Sequence, residues 1–108
     1  MTSILTSNAT VAIGPPEKFN ISATTHTITL MWSPPSYSNL NVTVSNYTVI
    51  CLLGQHVINH TVTTSTKLKI IGFMQFTNYT CFVSAGTLLG NGPPIAKTIE
   101  TKRGNVIT

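Results

Sequence analysis

This chain of 108 residues has little charge, and acidic charge is the scarcest. It contains no Asp, and its two carboxylate side chains, Glu17 and Glu100, lie near opposite ends of the sequence. A Ser-His-Asp triad is therefore impossible, and a pair of catalytic carboxylates is implausible. A calcium site needs several anionic oxygens together, and the sequence offers no such group. No glycine-rich phosphate loop precedes a helix. We expect a protein that is not an enzyme, binds no small-molecule substrate and needs no cofactor.

Possible metal ligands are also few. The imidazoles are those of His26, His56 and His60. His56 and His60 are four residues apart, which in a regular strand places them on one side but about 13 Å from each other. That distance is too long for one ion, so we expect no metal site.

The positive charges are scattered, although six Lys and Arg give a net charge of +4. Nucleic-acid-binding proteins gather such residues into a patch or stripe, so the scatter favours ordinary solvating cations and no nucleic acid partner. No apolar run approaches the ~18 residues of a membrane span, and the N-terminus has no signal-peptide pattern. We interpret the sequence as a piece of a larger protein, which would meet a membrane only through that parent chain.

N-glycosylation sequons are present in excess. The chain has nine Asn, and 28 of its 108 residues are Ser or Thr. Chance alone would give about two sequons, and there are six. Their asparagines are Asn8, Asn20, Asn41, Asn46, Asn59 and Asn78. A Thr-rich sheet surface is the alternative source of such motifs. Because glycans would solvate a surface that has so little charge, we favour a glycoprotein that is extracellular or on the cell surface.

The secondary structure predicted from this sequence is all β. No segment shows a helical apolar period, Thr, Val and Ile are abundant, and three Pro-Pro pairs punctuate the chain. Alternation locates the strands by their inward residues. These are Phe19 and Ile21; Ile28, Leu30 and Trp32; Tyr47, Val49 and Cys51; Leu68 and Ile70; and Tyr79, Cys81, Val83 and Ala85.

The other segments complete a set of seven strands. Gly54-Gln55 is predicted as a turn, Val57-Ile58 as a short edge strand, and Gly86–Gly92 as a loop. Ile95–Thr101 is the last strand, and alternation leaves open which of its faces is buried. Asn20, Asn46 and Asn78 fall on outward positions, as a sugar-bearing residue must.

The aromatic and glycine pattern resembles that of the fibronectin type III family. Trp32 precedes Ser33-Pro34-Pro35, and a later segment follows the family's Gly-Leu-x-Pro-x-Thr-x-Tyr-x-x-x-Val-x-Ala pattern. The matching residues there are Gly72, Phe73, Thr77, Tyr79, Val83 and Ala85, while Gln75 replaces the frequent Pro. The resemblance implies a seven-stranded antiparallel β-sandwich of the immunoglobulin-like type over residues 14–102. Residues 1–13 would then be a linker or flanking segment, and 103–108 a tail.

The resemblance also assigns structural roles. Trp32, Tyr47 and Val83 would lie in the core, and the Tyr79 hydroxyl would bond to backbone near Phe73 as a tyrosine corner. It makes the strands of Cys51 and Cys81 neighbours in one sheet. A disulfide between them would add about 3.6 kcal/mol by the chain-entropy estimate. Type III domains generally lack disulfides, however, so we favour two adjacent free thiols and leave the bridge open.

Two functions remain open. Type III domains usually occur in tandem in receptors and adhesion proteins, which suggests a protein-interaction module. Its loops at one pole would be Ser33–Ser45, about Thr61–Ser65 and Gly86–Pro94, and the candidate contact residues are Thr87, Leu88, Leu89 and Asn91. The two leucines could equally pack on the rim of the sandwich. The alternative is a structural spacer in a multidomain extracellular protein or secreted enzyme, with its flat surfaces masked by glycans.

Overall fold

A computed structural model of the protein describes residues 13–37 and 43–104. The regular structure within these ranges is entirely β-strand, as the alternation predicts. The strands are β1 (Glu17–Ala23), β2 (Thr27–Ser33), β3 (Asn46–Leu53), β4 (His56–Thr63), β5 (Lys67–Ile71), β6 (Asn78–Thr87), β7 (Gly90–Asn91) and β8 (Ile95–Glu100).

The strands form two antiparallel sheets that pack as a sandwich. The smaller sheet has the order β1-β2-β5, and the larger has β4-β3-β6, with β7 and β8 both pairing with β6. This architecture confirms the predicted all-β sandwich. The described residues form eight strands instead of seven because the Gly86–Gly92 segment, predicted as a loop, folds into a tight hairpin that adds β7.

The core consists of the side chains that the alternation places inward. Seven of them are fully buried: Ile28, Leu30, Val49, Cys51, Cys81, Val83 and Ala85. Burying one large aliphatic side chain contributes roughly 1.5–3 kcal/mol, so these alternating rows determine which face of each strand turns inward. In β8, Ile95 and Ile99 pack against this core, and the Ala96, Thr98 and Glu100 face is exposed.

Strand β4 differs from the prediction of a short Val57-Ile58 edge strand. It runs for eight residues because its β-branched sequence continues the ladder with β3 as far as Tyr47 and Thr63. A register shift leaves Ile58 as an extra residue between the pairs Cys51–Asn59 and Leu52–Val57. The bulge reverses the alternation, so His56 and His60 face opposite sides of the sheet and the prediction of one shared side is wrong.

The first described residue already belongs to the core. Ile13, which the sequence places in the linker, is 3% exposed, and a side-chain carbon added at Gly92 would meet it at 3.1 Å. Its burial brings the segment before β1 against the segment after β7.

The C-terminal segment is held by the loop between β5 and β6. Buried Thr101 donates its hydroxyl to the Met74 carbonyl (2.6 Å) and accepts the Thr77 N–H (3.0 Å). Arg103 stacks over Phe76 at 4.3 Å. The predicted tail therefore contacts the sandwich through its first residues.

Candidate interaction surface

The segment 86–92 is a hairpin held by hydrogen bonds within its own turn. Gly86 pairs with Asn91 and Thr87 with Gly90. The Thr87 hydroxyl accepts the Leu89 N–H (3.1 Å) and donates to the Gly90 carbonyl (2.9 Å). Gly90 has φ 126°, a conformation that other residues rarely adopt. Because its backbone is tied in this way, the hairpin presents its tip as a defined shape.

The tip of the hairpin is apolar and exposed. Leu88 is 97% exposed and Leu89 58% exposed. The sequence left open whether these leucines pack on the rim, and the structure turns both to solvent. Exposed single leucines are common on protein surfaces, but two adjacent ones at a protruding turn make a compact apolar contact point.

The base of the hairpin is tightly packed against the start of β3. Ser45 donates its N–H to the Gly86 carbonyl at 2.8 Å. A side-chain carbon on Gly86 would collide with the amide groups of Asn46 and Asn91, which lie on either side of it. A larger residue at this base would displace these two side chains, and the sequon residue Asn46 stands directly beside the hairpin.

An exposed tyrosine, which sequence reasoning missed, lies at the same pole. Tyr37 is 58% exposed, and its carbonyl accepts the Gly14 N–H at 3.0 Å. Gly14 follows Ile13, which contacts Gly92, so Tyr37 is carried on backbone next to the hairpin base. Alternation gives no signal for a residue in a loop, and only the fold brings the backbone of Tyr37 next to the segment that contacts Gly92.

The loop that carries Tyr37 is anchored to β1 by Glu17. The hydroxyl and the backbone N–H of Ser36 both donate to one Glu17 carboxylate oxygen, the N–H at 3.0 Å. These two hydrogen bonds, the hydroxyl's first, lower the pKa of Glu17. The loop predicted at about Thr61–Ser65 is shorter than expected, since Thr61–Thr63 belong to β4.

The sequons are distributed over both sheets. Asn20 on β1 and Asn78 at the start of β6 are exposed, whereas Asn46 and Asn59 are half-buried. Asn59 accepts the Thr61 hydroxyl through its Oδ1 at 2.7 Å. Asn8 and Asn41 lie outside the described residues.

The two cysteines lie directly opposite each other on β3 and β6, with their Cα atoms 4.1 Å apart. Close antiparallel pairs of the non-hydrogen-bonded kind have a spacing of about 4.5 Å. Their sulfurs form a disulfide, whereas the sequence favoured two free thiols. The bond links the two central strands of the larger sheet inside the core.

The residues assigned to the core lie there. Trp32 and Tyr47 are each 4% exposed, Tyr79 is 2% exposed and Val83 is fully buried. The Tyr79 hydroxyl accepts the Met74 N–H at 2.8 Å, and Met74 directly follows Phe73, near which this bond was expected.

No site for a metal emerges from the described parts of the chain, where no group of three His, Cys, Asp or Glu side chains converges. A shallow cleft of about 160 Å³ lies near the start of β6, away from the hairpin, and its lining from Leu53 to Tyr79 includes no charged side chain. None of the described residues forms a helix long and apolar enough to cross a membrane.

Comparison with known proteins agrees with this immunoglobulin-like sandwich. The fibronectin type III domain profile matches residues 14–102. Because this match covers most of the chain, the chain belongs to the fibronectin type III family. Domains of this family are generally non-catalytic modules that mediate protein–protein contacts within multidomain proteins. A search of curated protein sequences gave no match.

Solved structures show the same fold at low sequence identity. Domains d3–d4 of the rat CD45 extracellular region align with 81% of this chain at 16% identity and a TM-score of 0.74. The chicken CNTN1 domains FN1–FN3 align with 87% of this chain at 17% identity and a TM-score of 0.73. The C. elegans twitchin kinase region aligns with 83% of this chain at 20% identity and a TM-score of 0.72. The chain spans 48%, 33% and 17% of these structures, respectively.

Proposed function

We propose that this domain is a protein-interaction module in the extracellular part of a cell-surface receptor or adhesion protein, and that it contacts its partner through the hairpin 86–92. The observation that carries this proposal is the exposure of Leu88 and Leu89 on a turn whose backbone is fixed by hydrogen bonds. A preorganised apolar tip loses little conformational entropy on binding, so most of its burial contributes to affinity.

Three features support the extracellular setting. The sequons on described strands include two exposed asparagines, Asn20 and Asn78. A disulfide joins Cys51 and Cys81, and such bonds persist in oxidising compartments. The low charge of the surface also suits a glycoprotein, because sugars would replace the missing ionic solvation.

The hairpin is tested by presenting the whole chain as a multivalent probe to an array of ectodomains. The wild-type chain should capture at least one ectodomain, and Leu88→Ser combined with Leu89→Ser should lose about 100-fold in affinity because two apolar side chains no longer become buried. A matched control is Ile71→Ser combined with Met74→Ser, which removes two exposed apolar side chains elsewhere (74% and 59% exposed). Equal binding by both double variants would contradict the assignment of the hairpin.

The second candidate, a structural spacer, is favoured by the spread of sequons over both sheets. A spacer would capture no ectodomain in the array. The parent protein would also keep its partner binding after residues 87–91 were replaced by Gly and Ser. Loss of that binding would exclude the spacer function.

A further inference from the structure

The two sheets have four edges within the described ranges. In the smaller sheet the edges are β1 and β5; in the larger they are β4 on one side and β8, continued by the two-residue β7, on the other. An edge strand presents unpaired N–H and C=O groups that can pair with another strand, and proteins usually block such edges with charge, proline or irregular backbone.

Three of the four edges carry such features. Lys67 and Lys69 are exposed on β5. β8 follows a Pro-Pro pair and bears Lys97 and Glu100. β1 also follows a Pro-Pro pair, carries Glu17 and Lys18, and loses register between Glu17 and Asn20. Each of these edges therefore disfavours the approach of a further strand.

Strand β4 is the exception. Its eight residues, HVINHTVT, include no Pro, Gly, Lys, Arg, Asp or Glu. Val57 is 60% exposed and Val62 57% exposed. The bulge at Ile58 interrupts only one end and leaves the regular ladder Asn59–Thr63, about 17 Å long, as a free edge.

We propose that this free edge pairs antiparallel with β4 of a second copy of the chain. Charge allows a second copy of the chain to pair at β4, because self-pairing of β4 opposes no ionised groups. Self-pairing of β5 would instead bring lysines together across the junction. The inference stands independently of the proposed function.

The geometry of β4 suits a two-fold junction. Antiparallel pairing centred on Thr61 sets Asn59 opposite Thr63, and His60 opposite Val62, of the second copy. Asn59, Thr61 and Thr63 share the core side of the sheet because they lie opposite the inward residues Cys51, Val49 and Tyr47. His60 and Val62 share the outer side, so every pair keeps its face and the contact is isologous.

The junction would be weak and sensitive to modification. One strand pair buries less than the ~800 Å² per partner of a standard interface, so the dimer belongs at high micromolar concentrations. Asn59 heads a sequon on this strand, but its side chain lies half-buried on the core side of the sheet, so it would have to turn outward to carry a sugar, which would then cover the edge. The chain made without glycosylation is therefore the right sample.

Analytical ultracentrifugation of the full chain from micromolar to millimolar concentration tests the proposal. The mass should rise from 11.6 kDa toward twice that value. Val62→Lys should weaken the dimer by about tenfold, because it replaces an apolar cross-strand contact with a charged side chain at each of two symmetry-related sites. Thr48→Lys is the matched control, since Thr48 lies opposite Val62 on the same side but on the interior strand β3.

Hydrogen exchange supplies a readout that needs no variant. Amides of β4 should gain protection as concentration rises, while those of β5 and β8 should not. The proposal is overturned by a mass of 11.6 kDa at every concentration, by protection that appears on another edge, or by equal effects of Thr48→Lys and Val62→Lys, which would indicate face-to-face packing.

Discussion

Four buried aromatic rings form two pairs that tie the sheets together. Trp32 on β2 meets Tyr47 on β3 with ring centroids 5.4 Å apart and planes at 65°. Phe73, after β5, meets Tyr79 on β6 at 4.7 Å and 67°. Edge-to-face contacts of this kind add roughly 0.5–1.5 kcal/mol beyond the area that they bury. The first pair joins the two sheets and the second joins the segment after β5 to the larger sheet, so the rings fix the sandwich at two separate points.

Trp32 contributes through its ring and not through its indole N–H. Its Nε1 is buried and has no hydrogen-bond partner among the described residues. Trp32→Ala should therefore lower the free energy of unfolding by roughly 3–5 kcal/mol, as a cavity of this size does. Trp32→Phe should cost clearly less, because it keeps an aromatic ring and leaves no acceptor unpaired.

Denaturant unfolding of the two Trp32 variants measures this difference. A Phe variant as unstable as the Ala variant would show that the indole N–H has a partner worth keeping. An Ala variant that unfolds like the parent would remove Trp32 from the core.

Tyr47 gives the domain a sensitivity to alkali. Burial raises the pKa of the Tyr47 phenol. An unfolded Tyr titrates near pH ~10, so above that pH the unfolded chain loses a proton that the folded chain retains. Stability that is fully present below pH ~10 should therefore decline as the pH rises through the higher folded-state pKa.

The comparison that isolates this effect is Tyr47→Phe, measured by thermal unfolding between neutral and alkaline pH. Every other side chain is the same in both proteins, so the difference between them reports Tyr47. The parent should lose stability more steeply than the Phe variant, and parallel curves would contradict the assignment.

At the scale of elements, the end of β8 is held by hydrogen bonds to the loop between β5 and β6. The Thr101 N–H donates to the Thr77 carbonyl at 2.9 Å, while its hydroxyl bridges Met74 and Thr77. Thr101 is 1% exposed, so its own polar groups depend on these protein partners and not on solvent. One hydroxyl thus satisfies a donor and an acceptor on a loop that has no strand partner.

Thr101→Val should destabilise the domain by about 1–3 kcal/mol, because it preserves the shape of the side chain but removes the hydrogen-bond partner of the Thr77 N–H and of the Met74 carbonyl beside a buried side chain. Thr101→Ser is the control, since it retains the hydroxyl and loses only a methyl group. Chemical unfolding of both variants tests the role of the hydroxyl, which is contradicted if Ser destabilises as much as Val.

Alternation predicts the strands that bury one face, and it fails where other forces dominate. The inward sets of β2, β3 and β6 were predicted correctly because burial of Leu30, Val49 or Val83 demands a fixed face. The full length of β4 was not predicted, because most of its side chains are exposed and its bulge breaks the alternation. The hairpin 86–92 depends on turn geometry at Gly90, so its position could be predicted but the exposure of Leu88 could not.

At the scale of the whole molecule, the disulfide links the centre of the larger sheet. Cys51 and Cys81 are 30 residues apart in sequence. A cross-link over that separation restricts the unfolded chain and should contribute about 3.6 kcal/mol. Reduction should lower the free energy of unfolding by about that amount without changing the fold, because both sulfurs stay in the core as small apolar groups.

Alkylation followed by mass spectrometry checks the bond itself. The denatured, unreduced protein should take up no label, and the reduced protein should take up two. Two labels before reduction would show that the thiols are free, and the two unfolding curves would then coincide.

The same bond limits how far the domain can extend under load. In a chain of tandem modules pulled at both ends, tension runs through the disulfide and bypasses the residues between Cys51 and Cys81. Those 30 residue steps, at about 3.3–3.6 Å each, withhold roughly 100 Å of contour length that stretching alone cannot release. A reductant would release this additional contour length, so the redox state of the surroundings would determine the maximum extension of the tandem modules.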